Sequence, residues 1–147
     1  MKIIYLTLSL LVGIYFLIVI SIYFFQRNLL YHPKENNYLE EKLLEHNIQK
    51  IVIPSEHELT GWYYKKNSKF KTLLFFHGNA GKLENRIYKL NDLSKLNINY
   101  LIIAYRGFSG NEGSPSEDGL YLDARAAKKW LNSNDIDDSN IILYGES

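Results

Sequence analysis

The stretch KTLLFFHGNAG, residues 71–81, decides the fold. Its first six residues end in a continuous apolar run, which is typical of a strand buried on both faces of a sheet. Its last five residues contain Gly78 and Gly81, and glycine lets the backbone turn tightly. We therefore predict a central strand at Lys71–Phe76 that runs at once into a tight loop, His77–Gly81.

Other stretches predict more strands around this one. Apolar or alternating runs predict four of them, at Ile48–Pro54, Leu59–Lys66, Tyr100–Ala104 and Ile141–Gly145. The first two flank the turn candidate SEHE and predict a hairpin. Because helical patterns separate the later strands, the order favours an α/β fold with a mostly parallel sheet and an antiparallel N-terminal hairpin.

Two helical patterns lie between the later strands. The first runs from Leu83 to Leu96, with one side formed by Leu83, Ile87, Leu90 and Ser94. The second follows SPSE, which predicts Ser114 as the N-cap, Pro115 at the first helical position and Glu117 completing a capping box. We expect its apolar face to pack on the sheet through Leu120, Ala124, Ala127 and Leu131.

Three loops follow the carboxyl ends of the predicted parallel strands, where open α/β sheets bind ligands. In the first loop, free N–H groups beside Gly78 and Gly81 could stabilise a developing oxyanion, although an ordinary Gly-rich turn has the same pattern. A phosphate loop is excluded by spacing. That motif, GxxxxGK[ST], needs four residues between its glycines and a hydroxyl residue after the lysine, whereas here Leu83 follows Lys82.

The other two loops differ in what they indicate. The second, Tyr105–Gly113, has a GxxGxxG spacing that does not meet the dinucleotide pattern GxGxxG. We interpret Arg106 in this loop as a structural residue that binds loop carbonyls, with substrate binding as the alternative. The third, LYGES at residues 143–147, matches the first three positions of the G-x-S-x-G nucleophile elbow. A lone GxS is weak evidence for a nucleophile. Here it is stronger evidence, because it follows a third strand and an HGxxG loop.

None of the four histidines is predicted to transfer protons. We interpret His32, His46 and His57 as solvated surface residues and His77 as a residue that shapes the first loop. The composition excludes other chemistry. The absence of cysteine excludes disulfides and thiolate catalysis, and the net charge of +1 gives no electrostatic case for a nucleic-acid partner. We predict no metal and no cofactor.

The N-terminal segment is predicted to lie in a membrane. Residues 3–25 carry no charge, and as a helix these 23 residues would span about 35 Å, against about 30 Å for a bilayer core. No small-residue cleavage site of a signal peptide follows them. We therefore expect a single-pass anchor at residues 1–27, of undetermined orientation, then a connector at 28–47 with a helical turn around Leu39–Leu44, and an α/β domain at 48–147.

Together these residues resemble the BEM46-like branch of the α/β hydrolases. The likeness lies in HGNAG, in YRGFSGNEGSPSEDGLYLDARAA and in LYGES. It extends to the FQ–LLYHP stretch after the apolar segment and to TGWYY, so that it covers essentially the whole chain in order. Ala104 departs from the pattern, because relatives often have an acidic residue before YRG. The resemblance implies that residues 48–147 form the N-terminal half of an α/β-hydrolase domain.

The resemblance also implies roles for individual residues. Ser147 would be the nucleophile, the backbone N–H of Asn79 would supply half of the oxyanion hole, and the substrates would be small acyl esters or thioesters. The acid and base of a Ser-His-Asp triad follow the serine along the chain in this fold. We therefore expect the chain, which ends at Ser147, to be incomplete. The alternatives are a catalytically inactive truncated remnant and a non-enzymatic membrane scaffold.

Overall fold

The computed structural model describes residues 1–35, 43 and 46–147, and these divide into two compact units, Met1–Tyr31 and His32–Ser147. The first unit is one helix, α1 (Lys2–Leu30), whose apolar side chains are exposed. By length and composition α1 could cross a membrane, a property that signal sequences share. It extends past the predicted anchor boundary at residue 27. The helical turn predicted around Leu39–Leu44 lies outside the described residues, except for Leu43.

The second unit contains a five-stranded sheet. Its strands are β2 (Gln49–Ile53), β3 (Leu59–Tyr64), β4 (Thr72–Phe76), β6 (Asn99–Ile103) and β7 (Ile141–Gly145). They lie in the order β2-β3-β6-β4-β7. Two shorter strands, β1 (His32–Pro33) and β5 (Ala80–Gly81), pair with each other in parallel. All five strands predicted from the sequence are therefore present.

The directions of the strands also follow the prediction. Strands β2 and β3 form the antiparallel hairpin, with Ile53 opposite Leu59, and β3 pairs antiparallel with β6. Strand β4 pairs in parallel with both β6 and β7. The predicted central strand thus has a neighbour on each side, and its residues from Thr72 to Phe75 are buried.

Helical segments connect the parallel strands. A 3-10 turn at Leu83–Arg86 leads into α2 (Ile87–Ser94), which follows β4. Helix α3 (Glu117–Ser133) follows β6, and a second 3-10 turn at Asp138–Asn140 precedes β7. The predicted first helix is therefore confirmed in place, although its first turn is 3-10.

The predicted start of the second helix was wrong by two residues. Ser116, not Ser114, is the N-cap: its backbone is extended, and its Oγ accepts a hydrogen bond from the Gly119 N–H at 3.2 Å. Pro115 belongs to the preceding loop, where its ring lies so close to Gly107 that a methyl group there would come within 2.8 Å of Pro115 Cδ. Because Ser116 caps the helix, Glu117 and Asp118 fall in the first turn, where negative charge is favourable.

The inward face of α3 is also more polar than predicted. Ala127 and Leu131 are buried as expected, whereas Leu120 and Ala124 are only half-buried. The buried face of α3 continues toward the N-terminus of the helix through Asp123, which is fully buried, and Gly119. Much of the remaining core lies on the sheet, where the fully buried side chains include Trp62, Phe75, Tyr100, Leu74, Leu101 and Ile102. Leu83, Leu90 and Phe108 are fully buried outside the sheet.

Candidate active site

The three loops predicted to carry chemistry meet at one edge of the sheet. Phe76 is in register with Ile103 on one side and with Gly145 on the other. The next residue on each strand therefore starts a loop beside the others: His77 after β4, Ala104 after β6 and Glu146 after β7. This is the edge where open α/β sheets bind ligands.

Ser147 lies next to the first loop. The Glu146 N–H donates to the Phe76 carbonyl at 2.9 Å, which continues the pairing of β7 with β4 for one residue past the strand. A methyl group placed on Gly78 would lie 3.4 Å from the carbonyl carbon of Ser147. Ser147 is exposed, and Gly78 is buried. The predicted nucleophile and the loop that contains the predicted oxyanion donor Asn79 are thus neighbours, while the catalytic roles of both residues stay predictions.

At the end of the first loop, the backbone lies so close to neighbouring side chains that the position requires glycine. Gly81 has φ +84°, and a Cβ there would lie 2.6 Å from Asn85 Oδ1 and 3.0 Å from Arg86 Nη1. Asn85 Oδ1 accepts a hydrogen bond from the Lys82 N–H at 3.0 Å. The turn is therefore fixed against the first residues of the segment that leads into α2.

A segment that sequence analysis did not select holds the same loop from outside. This strap, residues His32–Lys34, donates from the His32 N–H to the Asn79 carbonyl at 2.9 Å and from the Lys34 N–H to the Gly81 carbonyl at 3.0 Å. The Lys34 carbonyl accepts from the Ser109 N–H at 2.9 Å. The strap therefore connects the first and second loops. One feature of the sequence indicated this strap, the LLYHP stretch, which is part of the resemblance to the BEM46-like α/β hydrolases.

His77 joins the same two loops from the inside. It is 4% exposed, and its ring Nδ1 lies 2.7 Å from the Gly78 carbonyl, while its Nε2 accepts from the Tyr105 N–H at 3.3 Å. A carbonyl can only accept, so Nδ1 carries the proton and the ring is a defined neutral tautomer. Burial is the main cause that lowers the pKa of His77 to about 4. These contacts agree with the interpretation that His77 shapes the loop.

Arg106 is a structural residue, but its partners are carboxylates and not the predicted loop carbonyls. It is 7% exposed, and its Nη2 and Nε donate to Asp123 Oδ1 at 2.8 and 3.1 Å. Its Nη1 donates to Glu56 Oε2 at 2.9 Å, and its backbone N–H donates to Asp123 Oδ2 at 2.9 Å. A buried guanidinium needs charge compensation, which the fully buried Asp123 provides and carbonyl dipoles would not.

The remaining histidines differ in how far they are exposed to solvent. His32 is exposed, as predicted, whereas His46 and His57 are half-buried. The ring of His57 contacts the second loop, since a methyl group on Gly113 would lie 2.8 Å from His57 Cδ2. His57 therefore packs against that loop and is less solvated than we predicted.

One charged cluster beside Ser147 was also missed. Glu146 Oε1 lies 3.2 Å from Arg86 Nη2, and Glu146 Oε2 lies 3.1 Å from Lys89 Nζ. Burial would raise the pKa of Glu146, but Lys89 and Arg86 outweigh it and hold this pKa below its usual value. No local pattern could have revealed a cluster whose members are 60 residues apart in sequence.

The chain is similar to known proteins over much of its length. The chain is 35% identical over 127 residues to an uncharacterized protein of Mycobacterium tuberculosis, covering 83% of this chain and 45% of that one. It is 35% identical over 117 residues to protein bem46 of Schizosaccharomyces pombe, covering 78% of this chain and 38% of the yeast protein. It is 37% identical over 93 residues to the α/β hydrolase domain-containing protein WAV2 of Arabidopsis thaliana, covering 60% and 30%. No family model matches the chain.

Solved structures agree. An α/β hydrolase from Vibrio vulnificus superimposes with a TM-score of 0.69 at 34% identity, covering 81% of this chain and 45% of that structure. An esterase from Pyrococcus furiosus superimposes with a TM-score of 0.61 at 24% identity, covering 79% and 46%, and this likeness is one of fold alone. The chain therefore spans less than half the length of these relatives.

Proposed function

Because this chain belongs to the BEM46-like family of α/β hydrolases, we propose that the protein carrying it hydrolyses small acyl esters or thioesters, with Ser147 as the nucleophile. The observation that carries the proposal is the position of Ser147. It stands two residues past the end of β7, exposed, and its backbone lies against Gly78 of the HGNAG loop.

The proposed reaction needs a site for negative charge beside the nucleophile. When Ser147 Oγ attacks the acyl carbonyl, the carbonyl oxygen becomes an oxyanion, and backbone N–H donors stabilise such an oxygen most effectively when they are fixed in advance. We assign one of these donors to the Asn79 N–H. The loop around it is fixed by the strap His32–Lys34 and by His77, which supports this assignment.

The chemistry is that of a two-step acyl transfer. A base takes the Ser147 hydroxyl proton as Oγ bonds to the acyl carbon, and the ester C–O or thioester C–S bond breaks as the leaving alcohol or thiol takes a proton. Water then attacks the acyl-serine and releases the acid, regenerating the hydroxyl. The base and its carboxylate partner come after the serine along the chain in this fold, so the proposal assigns them to no residue here.

Mapping a covalent adduct tests this function. In native membranes, a fluorophosphonate probe should label the protein on Ser147, within the tryptic peptide that begins at Trp130 after Lys129. Ser147→Ala should abolish labelling and ester hydrolysis. Ser133→Ala removes an exposed hydroxyl on the same peptide and should change neither, so it is the matched control. Labelling that survives in Ser147→Ala would refute the proposed nucleophile.

The N-terminal helix supports a second part of the proposal, attachment to a membrane. Helix α1 exposes apolar side chains along its length and carries charges only at its ends, at Lys2 and Arg27. We propose that it stays in the mature protein as a single span in the lipid bilayer. Because a cleaved signal sequence can have the same length and composition, the decisive property is retention of Met1 in the membrane fraction.

A further inference from the structure

Glu146 occupies the variable position between the glycine and the serine of the G-x-S motif. Its side chain does not point to open solvent, since 20% of it is exposed. It lies between two cations on the segment after the HGNAG loop: Arg86, whose side chain is 7% exposed, and Lys89 on α2. The residue before the proposed nucleophile is therefore paired with the segment that follows the HGNAG loop.

Arg86 also contacts the end of the HGNAG loop, through its other amino group. Its Nη1 donates to the Lys82 carbonyl at 3.1 Å. The same nitrogen would lie 3.0 Å from a methyl group on Gly81, so the guanidinium is packed against the final residue of the loop. One buried side chain thus contacts the end of the loop on one side and the Glu146 carboxylate on the other.

Charge makes these contacts interdependent. A carboxylate that is largely withdrawn from water is stable in its ionised form only when cations or donors compensate it, and here two cations surround one anion. Removing the negative charge would leave the buried Arg86 without its only anionic partner among the described residues. The ion pair would then no longer fix the positions of Arg86 and of residue 146 relative to each other.

Resting on the proposed hydrolase function, we propose that Glu146 is a positioning residue, whose carboxylate, paired with Arg86 and Lys89, holds the nucleophile elbow against the end of the HGNAG loop. It would not touch the substrate. It would fix the distance between Ser147 Oγ and the donors of the loop. A misplacement of about 1 Å in such a geometry can slow a reaction about 100-fold, so the expected effect falls on kcat and leaves KM unchanged.

The test compares Glu146→Gln with a matched control in the full-length protein. Glu146→Gln keeps the size of the side chain and its amide oxygen can still accept hydrogen bonds, but it removes the charge. The control, Asp138→Asn, makes the same kind of change in an exposed ion pair with Lys128 at 2.7 Å, and Asp138 precedes β7 whereas Glu146 follows it. The three readouts are amide hydrogen exchange in residues 77–82, the second-order rate of fluorophosphonate labelling of Ser147, and kcat and KM for a p-nitrophenyl ester.

We expect Glu146→Gln to raise exchange in residues 77–82 and to slow labelling about tenfold or more, with kcat for a p-nitrophenyl ester falling at constant KM. Asp138→Asn should leave all three measurements at wild-type values. If the effect acts through the ion pair, Lys89→Met should give part of the loss, and the double variant should be no slower than Glu146→Gln alone.

The outcomes separate the two proposals. If wild-type protein is labelled and Glu146→Gln matches it in both rate and exchange, the positioning role is overturned while the hydrolase function stands. If wild-type protein is not labelled on Ser147, the hydrolase function fails. The exchange comparison then still decides whether Glu146 holds the elbow against the loop, because exchange does not depend on catalysis.

Discussion

At the scale of single residues, the buried His77 predicts how the free energy of unfolding depends on pH. Its pKa is lowered from 6.5 to about 4 in the folded protein, so the unfolded chain binds more protons between these values. The stability that depends on neutral His77 is complete above pH 6.5 and is lost as the pH falls through 4. The loss is about 3 kcal/mol, at about 1.4 kcal/mol for each pH unit.

The measurement is the free energy of unfolding in urea, followed by fluorescence of the buried Trp62, as a function of pH. His77→Gln cannot titrate, so its unfolding free energy should fall less than that of the wild type between pH 7 and pH 4. The comparison of slopes does not depend on the absolute stability of the variant. Parallel curves for the two proteins would show that His77 does not supply this pH dependence.

Arg106 shows which properties of a residue could be predicted from the sequence. A lone arginine among glycines predicted a structural role, and the structure agrees. Its partner could not be predicted, because Asp123 lies on a helix where a carboxylate is normally assigned to the solvent side. Asp123 is fully buried only because Arg106 comes from another element to meet it. Glu146 is a similar case, since its cations come from a segment about 60 residues earlier in the chain.

At the scale of elements, the positions of the strands could be predicted from local sequence patterns, whereas the contacts of the strap could not. Continuous apolar runs marked β4, β6 and β7 because both faces of these strands are expected to be covered in a parallel sheet. The strap His32–Lys34 forms hydrogen bonds to the loops through backbone groups, and every residue other than proline has both a backbone N–H and a carbonyl. Its side chains therefore gave no indication of what the strap contacts.

The strap predicts a difference between two substitutions at one residue. Lys34→Pro removes the N–H that donates to the Gly81 carbonyl, whereas Lys34→Ala keeps it and truncates an exposed side chain. We expect the proline variant to be less stable than the alanine variant by about 1 kcal/mol. Hydrogen exchange at the Ser109 amide, which donates to the Lys34 carbonyl, should also be faster in the proline variant. Equal exchange in both variants would mean that the strap does not hold the second loop.

At the scale of the whole molecule, the order of elements was predictable because each connection is local. A hairpin followed by alternating strands and helices has few ways to form one sheet, and parallel neighbours bring their carboxyl ends to one edge. The loops that carry His77, Arg106 and Ser147 begin at that edge, so the location of the candidate site followed from topology. The side-chain pairs that stiffen the site depend on distances between elements, which no single stretch of sequence contains.

The last prediction concerns the attachment of the molecule to a membrane. The 29 residues of α1 would span about 43 Å, which exceeds a bilayer core of about 30 Å. If α1 is an uncleaved anchor, the membrane fraction should retain the peptide that contains Met1, and alkaline carbonate should not extract the protein.

Arginine at the centre of a membrane helix is unfavourable by about 2.5–3.5 kcal/mol per residue, so the double variant Leu11→Arg, Ile14→Arg should move the protein to the soluble fraction. The matched variant Leu11→Ala, Ile14→Ala keeps the segment free of charge and should stay with the membrane. A mature protein that lacks Met1 and begins after α1 would instead identify this helix as a signal sequence. The proposal for Ser147 would be unaffected, because His32–Ser147 forms a compact unit of its own.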